Sequence, residues 1–230
     1  MEKYAFSDGL RVASYNIRHG ADVNLQMQVL ADDITGLNID VVGLQEVDIG
    51  AVRSGCIDTM AELSAVSGMP THAFARGIPL GDGEYGTGML SRLPFVSFSV
   101  TPLFSGTKEQ RAIGHAVMML GERTIHFFNT HLSFEEKSLR DVQFAQVAEM
   151  LPKDEPWILT GDFNTDDFAE FAPLGAAYML NRADNYMPSF HHRKAIDNIL
   201  LSADWTVGEW GMLSADHSDH EMIWCEIALR

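Results

Sequence analysis

The chain has 230 residues, 46% hydrophobic and 21% charged, which fits one large α/β domain or two small ones with a sizeable core. Sixteen Lys and Arg stand against 32 Asp and Glu, a net charge of −16. That balance argues against tight non-specific binding to a polyphosphate backbone, but leaves room for a small phosphorylated substrate held through a metal.

In chain order, residues 1–5 lack the basic-then-apolar pattern of a secretory leader. Leu10–Ile17 reads as a first strand with Asn16 near its end, and Arg18-His19-Gly20 leaves it as a loop. Asn24 is a helix cap for an amphipathic segment carried by Met27, Leu30, Ile34 and Leu37. Asp40–Leu44 is a second buried strand, ending in Gln45-Glu46. Strand, helix and strand in this order predict a βαβ unit whose parallel strands bring Asn16 and Glu46 to the same side.

Asp58–Val66 reads as a short helix. From Thr71 to Leu120 short apolar runs alternate with Gly, Pro and Ser, the pattern of antiparallel hairpins. Gly81–Gly86 lacks the Lys and helix start of a phosphate-binding loop. Thr124–His131 is a further strand, followed by a capping box, Ser133-Phe134-Glu135-Glu136, that opens a helix to Leu151. Trp157-Ile158-Leu159 leads into Gly161-Asp162-Phe163-Asn164, a turn at a strand end. Ala195–Leu201 is a strand carrying Asp197, with Trp205–Met212 as its partner. A polar loop with Asp219 and His220 precedes a final alternating strand that includes Cys225 as a small buried residue. Two cysteines supply neither a disulfide framework nor a cysteine-rich zinc site, and no apolar run reaches the ~20 residues of a membrane helix. A cytoplasmic monomer with two sheets packed face to face, helices outside, is expected.

Polar residues therefore gather at strand ends: Asn16, Glu46, His131, Asp162 with Asn164, and Asp219 with His220, while Asp197 lies inside a strand. Strand ends are where α/β folds build sites. Glu46, helped by the Asn16 amide, suits a hard cation such as Mg²⁺ or Mn²⁺. His220 can serve as a general base oriented by Asp197, whose alternative partner is Arg193 or Lys194. His131 can stabilise phosphate charge. A carboxylate and a carboxamide two residues apart, Asp162 and Asn164, can hold a water and an anionic oxygen together.

Ser14-Tyr15-Asn16-Ile17, Leu44-Gln45-Glu46-Val47, Asn129-Thr130-His131-Leu132, Gly161-Asp162-Phe163-Asn164, Ile196-Asp197 and Ser218-Asp219-His220 occur in the order and rough spacing of the endonuclease/exonuclease/phosphatase superfamily. Gly88-Met89-Leu90-Ser91-Arg92 resembles its middle strand. The resemblance implies a four-layer α/β sandwich over a single domain, residues 1–230, and metal-dependent cleavage of phosphate esters. It implies Glu46, Asn16 and Asp219 at the metal, Asp162 and Asn164 at the attacking water and phosphate, His220 with Asp197 as base or transition-state stabiliser, and His131 on the scissile phosphate.

The Asn-Thr-His-Leu form is similar to pancreatic deoxyribonuclease and the neutral sphingomyelinases. Abasic-site repair endonucleases carry an acid where this chain has Arg18. The expected activity is therefore Mg²⁺-dependent hydrolysis of a small or lipid-derived phosphate ester. A metal-dependent nuclease and a catalytically silent binding module on the same fold are the alternatives.

Overall fold

The computed structural model describes residues 9–175 and 177–230. The expectation about a leader in residues 1–5 lies outside them. The strands are β1 (Gly9–Asn16), β2 (Val41–Ile49), β3 (Thr71–Leu80), β4 (Gly83–Ser91), β5 (Phe95–Leu103), β6 (Arg111–Leu120), β7 (Arg123–His131), β8 (Trp157–Asp162), β9 (Tyr178–Met179), β10 (Asp197–Leu201), β11 (Trp205–Leu213) and β12 (Met222–Leu229). The α-helices are α1 (Met27–Gly36), α2 (Thr59–Ser67) and α3 (Lys137–Met150).

The strands form two six-stranded mixed sheets, ordered β11-β12-β1-β2-β4-β3 and β5-β6-β7-β8-β10-β9. Each sheet has a parallel pair at its centre, β1 with β2 and β7 with β8. A helix joins each pair, because parallel neighbours need a crossover. These strands read as almost unbroken apolar runs, since both of their faces are covered. Val12, Met89, Phe127, Ile158, Ile199 and Ile223 fill the space between the sheets. Met27, Leu30 and Ile34 of α1 pack on Val42 and Leu44 outside the first sheet. Phe144 and Val147 of α3 pack on Phe128 and Leu159 outside the second. The result is the expected four-layer sandwich. Among the described residues, no helix is long and apolar enough to cross a membrane.

Three local expectations are corrected. Trp205–Leu213 pairs with β12 in the first sheet, not with β10. Both edges of β10 are already taken, by β8 and β9, so the chain crosses over after Leu201. Ser133 does not cap α3, which starts at Lys137 behind Glu136 without a side-chain cap. Ser133 is instead held by Gln143: its backbone N–H donates to Oε1 at 2.9 Å, and Gln143 Nε2 donates to its Oγ at 2.9 Å. Asn24 does not cap α1 either. It sits in the left-handed region at φ +50°, which Asn tolerates, and the helix begins three residues later. By contrast Asp58 does cap α2, accepting from the Ala61 N–H at 3.0 Å.

A buried polar cluster ties the two sheets together close to the strand ends. Asn129 of β7 donates from Nδ2 to the carbonyls of Leu44 at 2.9 Å and Gly88 at 2.8 Å in the other sheet. Its Oδ1 accepts from Gln45 Nε2 at 2.7 Å and Thr160 Oγ1 at 3.0 Å. Asn129 enters where the β2–β4 ladder shifts register, between Leu44 and Val47, and supplies donors to carbonyls of that irregular stretch. The approach is so close that a Cβ on Gly43 would run into Thr160 Oγ1 and the Asn129 amide. Gly43→Ala is accordingly expected to destabilise the protein by about 1–3 kcal/mol through overpacking, read as a lower denaturant midpoint at unchanged m-value.

Candidate active site

The carboxyl ends of β1, β2, β7 and β8 meet at one end of the sandwich. Parallel pairing puts His131 opposite Asp162, and the antiparallel β8–β10 pair puts Asp197 opposite Asp162 as well. Strand register alone thus gathers three of the predicted residues. The first sheet adds Asn16 and Glu46, and the loop before β12 adds Asp219 and His220.

Asp162 is the meeting point. Its Oδ1 accepts from the Asn164 backbone N–H at 2.9 Å. Its Oδ2 lies 3.1 Å from Asn16 Nδ2, 3.4 Å from His131 Nε2 and 3.7 Å from His220 Nε2. The carboxylate is 2% exposed. Burial and the neighbouring Asp197 push its pKa up, while His220, the Asn164 N–H and Asn16 pull it back. A buried carboxylate of raised basicity is suited to taking a proton.

His220 is buried and paired with Asp197, with Nδ1 2.8 Å from Asp197 Oδ2. Burial by itself would lower the imidazolium pKa. The surrounding Asp197, Asp162 and Asp219 outweigh it and raise the value to about 10. Asp197 does not pair with Arg193 or Lys194. Its second partner is Ser189, whose hydroxyl donates to Oδ2 at 2.6 Å. Phe190 packs on the His220 ring at a centroid distance of 4.7 Å. Ser189 and Phe190 were hidden in a polar stretch without periodicity, and no sequence pattern marks them.

Glu46 occupies the irregular stretch of β2 with φ +56°, an uncommon conformation for a non-glycine residue. The register shift interrupts the simple alternation that follows from the inward-facing Gln45. Glu46 Oε1 is 3.4 Å from Asn16 Nδ2, and Oε2 is 3.9 Å from His19 Nδ1. Burial raises its pKa, with Asn16 and His220 opposing. Asp219 lies 3.6 Å from Arg18 Nε and itself raises the Glu46 pKa. A partly buried carboxylate that lacks an Arg or Lys ion pair among the described residues, beside a second acid and an amide, fits a hard divalent cation.

Asp162, Asp197 and His220 also place donor atoms within 4.8 Å of one another. However, the Asp197 pair raises the His220 pKa, and a cation there would have to displace the imidazolium proton. Glu46 with Asn16 is the better cradle. Asn164, at φ +53°, donates one amide hydrogen to the Leu132 carbonyl at 2.9 Å and keeps the other.

Arg111 lies beside the site. It is 4% exposed and influences Glu46, Tyr85 and His131. Arg53 is bound to Asp48 at 2.7 Å, and Arg92 sits at the far end near Asp40. A groove of about 770 Å³ also opens at that far end, between Arg11, Asp40, Arg92 and Glu226. None of the predicted site residues lines it. His191 and His192 are exposed turn residues.

The His220–Asp197 pair has a measurable consequence. A raised imidazolium pKa stabilises the metal-free protein fully below the unfolded value of about 6.5, and this contribution is lost as pH rises through about 10. Unfolding free energy should therefore fall from about pH 7 to pH 10 and fall less in His220→Ala. In Asp197→Asn, an NMR titration should show the His220 pKa moving down from about 10; an unmoved value would break the assignment.

The sequence profile of the Endonuclease/Exonuclease/phosphatase family matches residues 13–220. No curated protein sequence matches the chain. Solved structures similar to it include an endonuclease/exonuclease/phosphatase from Beutenbergia cavernae DSM 12333, 21% identical over 96% of this chain and 72% of that one, with a TM-score of 0.78. A mannosyl-6-phosphatase from Bacteroides thetaiotaomicron VPI-5482 is 19% identical over 96% of this chain and 100% of that one, at 0.72. The human Nocturnin catalytic domain is 18% identical over 96% and 95%, at 0.76. These likenesses are of fold. The profile match spans most of the chain, site residues included, and the chain belongs to the Endonuclease/Exonuclease/phosphatase family.

Proposed function

We propose that the protein is a Mg²⁺-dependent hydrolase of phosphate esters, a phosphodiesterase or phosphatase acting on a small or lipid-derived ester. The observation that carries this reading is the convergence of Asn16, His131 and His220 on the Asp162 carboxylate, beside a Glu46 carboxylate that lacks an Arg or Lys partner among the described residues. Glu46 with Asn16 and Asp219 would hold the cation, Mn²⁺ being a possible substitute. When bound, it would neutralise phosphate charge.

The chain's own groups do the rest. Asp162 positions the attacking water and takes its proton. Asn164 offers its remaining amide hydrogen to a phosphate oxygen or to that water. His220, held by Asp197, is charged near neutral pH in the metal-free site. In that form it stabilises the negative charge that builds up on the phosphate and can protonate the leaving oxygen. His131 Nε2 and Arg111 add donors from the side of the second sheet.

The cation supply favours a small ester over a nucleic acid. Arg11, Arg18, Arg53 and Arg140 are all tied to carboxylates. A continuous positive groove would have to be built from few remaining groups in a chain of net charge −16. The mannosyl-6-phosphatase among the similar structures shows that this fold can carry a phosphatase.

Hydrolysis of bis-p-nitrophenyl phosphate is expected to be abolished by EDTA and restored by Mg²⁺ or Mn²⁺. His220→Ala should lower kcat by about 10²–10⁴-fold, the usual share of acid–base catalysis, and Glu46→Gln should remove the metal dependence together with most activity. Activity indifferent to chelation would overturn the metal assignment, activity unchanged in both variants would overturn this site as its source, and no hydrolysis at all would favour the silent binding module. A panel of DNA, RNA, sphingomyelin, inositol phosphates, sugar phosphates and nucleotides names the substrate class. Preferred cleavage of DNA with steep loss of binding as salt rises would favour the nuclease.

A further inference from the structure

Beside the site, at the seam between the sheets, lies a cavity of about 10 Å³, near the least that a water molecule occupies. Thr87 of β4, Arg111 of β6 and His131 of β7 line it, with Tyr85 and Gln110. The first three are 4%, 4% and 6% exposed. Each also has a buried polar atom without a hydrogen-bonding partner among the described residues: Thr87 Oγ1, Arg111 Nε and His131 Nδ1. Buried polar groups in folded proteins are almost always satisfied, by protein or by an ordered water. Three unsatisfied atoms on residues around one water-sized hole point to a shared partner.

The donor and acceptor roles are complementary. His131 Nε2 lies 3.4 Å from the Asp162 carboxylate, which favours the neutral tautomer with its proton on Nε2. Its Nδ1 is then a bare lone pair that needs a donor. Arg111 Nε–H is a donor that needs an acceptor. The Thr87 hydroxyl can play either part. A single water can accept from Arg111 Nε–H, donate one hydrogen to His131 Nδ1 and donate the other to Thr87 Oγ1.

We propose that this cavity holds one ordered water joining Thr87, Arg111 and His131, and that Thr87 is a positioning residue which, through that water, keeps His131 in the tautomer whose Nε2 proton points into the site. Thr87 comes from one sheet and His131 from the other, so the water also couples the tautomer to the sheet–sheet packing. The activity part of this proposal rests on the phosphoesterase reading. The water and the tautomer do not.

The test compares Thr87→Val, which removes the hydroxyl at nearly constant shape, with Thr87→Ser, which keeps it. A high-resolution crystal structure of the unaltered protein should show one water within hydrogen-bond distance of all three atoms. Ring-¹⁵N NMR should show His131 protonated on Nε2 in the unaltered protein and in Thr87→Ser, and a shift toward the Nδ1–H form in Thr87→Val. With bis-p-nitrophenyl phosphate, kcat should fall about tenfold in Thr87→Val, the size of one hydrogen bond, with KM unchanged and Thr87→Ser close to normal. An empty cavity with Arg111 Nε bonded directly to His131, or an unchanged His131 tautomer in Thr87→Val, overturns the proposal. If Thr87→Val does not fold, the water and the tautomer in the unaltered protein decide alone. If the chain hydrolyses no phosphate ester, the functional reading falls while those two observations still stand or fail on their own.

Discussion

The site end of this molecule depends on one buried carboxylate. Taking a carboxylate out of water costs several kcal/mol even after relaxation, and the cost is offset only where donors surround it. Asp162 has them from both sheets: Asn16 from the first, His131 and the Asn164 N–H from the second, and His220 from the loop that re-enters the first. Moving any of these groups away would leave charge uncompensated. The same contacts that make the carboxylate tolerable also hold Asn16, His131 and His220 within reach of one reacting group. Packing energy and site geometry are the same set of contacts.

Strand topology makes this economical. Each sheet centres on a parallel pair whose carboxyl ends point to the same side, and the two pairs face each other across the core. The register then does what no local preference does. It sets His131 and Asp197 on either side of Asp162 from strands that are distant in sequence. The register shift in β2 is the counterpart in the first sheet, where Glu46 takes a left-handed backbone conformation. Asn129 supports that irregular stretch by donating to the Leu44 and Gly88 carbonyls, so a polar residue in the middle of the sandwich maintains the geometry at its end.

Much of this was legible in the residues. The strand–helix–strand units announced themselves through apolar periodicity, and the polar residues that broke the apolar runs were the ones that gathered at the site. Where the reading failed, competition between partners was the reason. Ser133 had the spacing of a cap but was taken by Gln143, ten residues on. Asn24 had the chemistry of a cap but adopted the left-handed turn that its side chain also permits. Trp205–Leu213 was a strand as expected, yet neither edge of β10 was free to receive it. Ser189 lay in a stretch with no period, and its bond to Asp197 exists only because the chain returns there.

By itself the sequence determined the element types, the layered α/β class and the identity of the polar groups that serve the site, because periodicity and short motifs are local properties that survive without coordinates. Only the tertiary structure decided which partner each group has. Asp197 chose His220 and Ser189 over the lysine and arginine beside it. Arg111 reached the site, while Arg92 lies at the far end. The Asp162 carboxylate acquired its raised pKa from burial and from Asp197, thirty-five positions away in the chain. Hydrogen bonding and desolvation depend on distance and exposure, and in a sandwich of twelve strands these are set by register and sheet packing rather than by neighbours along the chain.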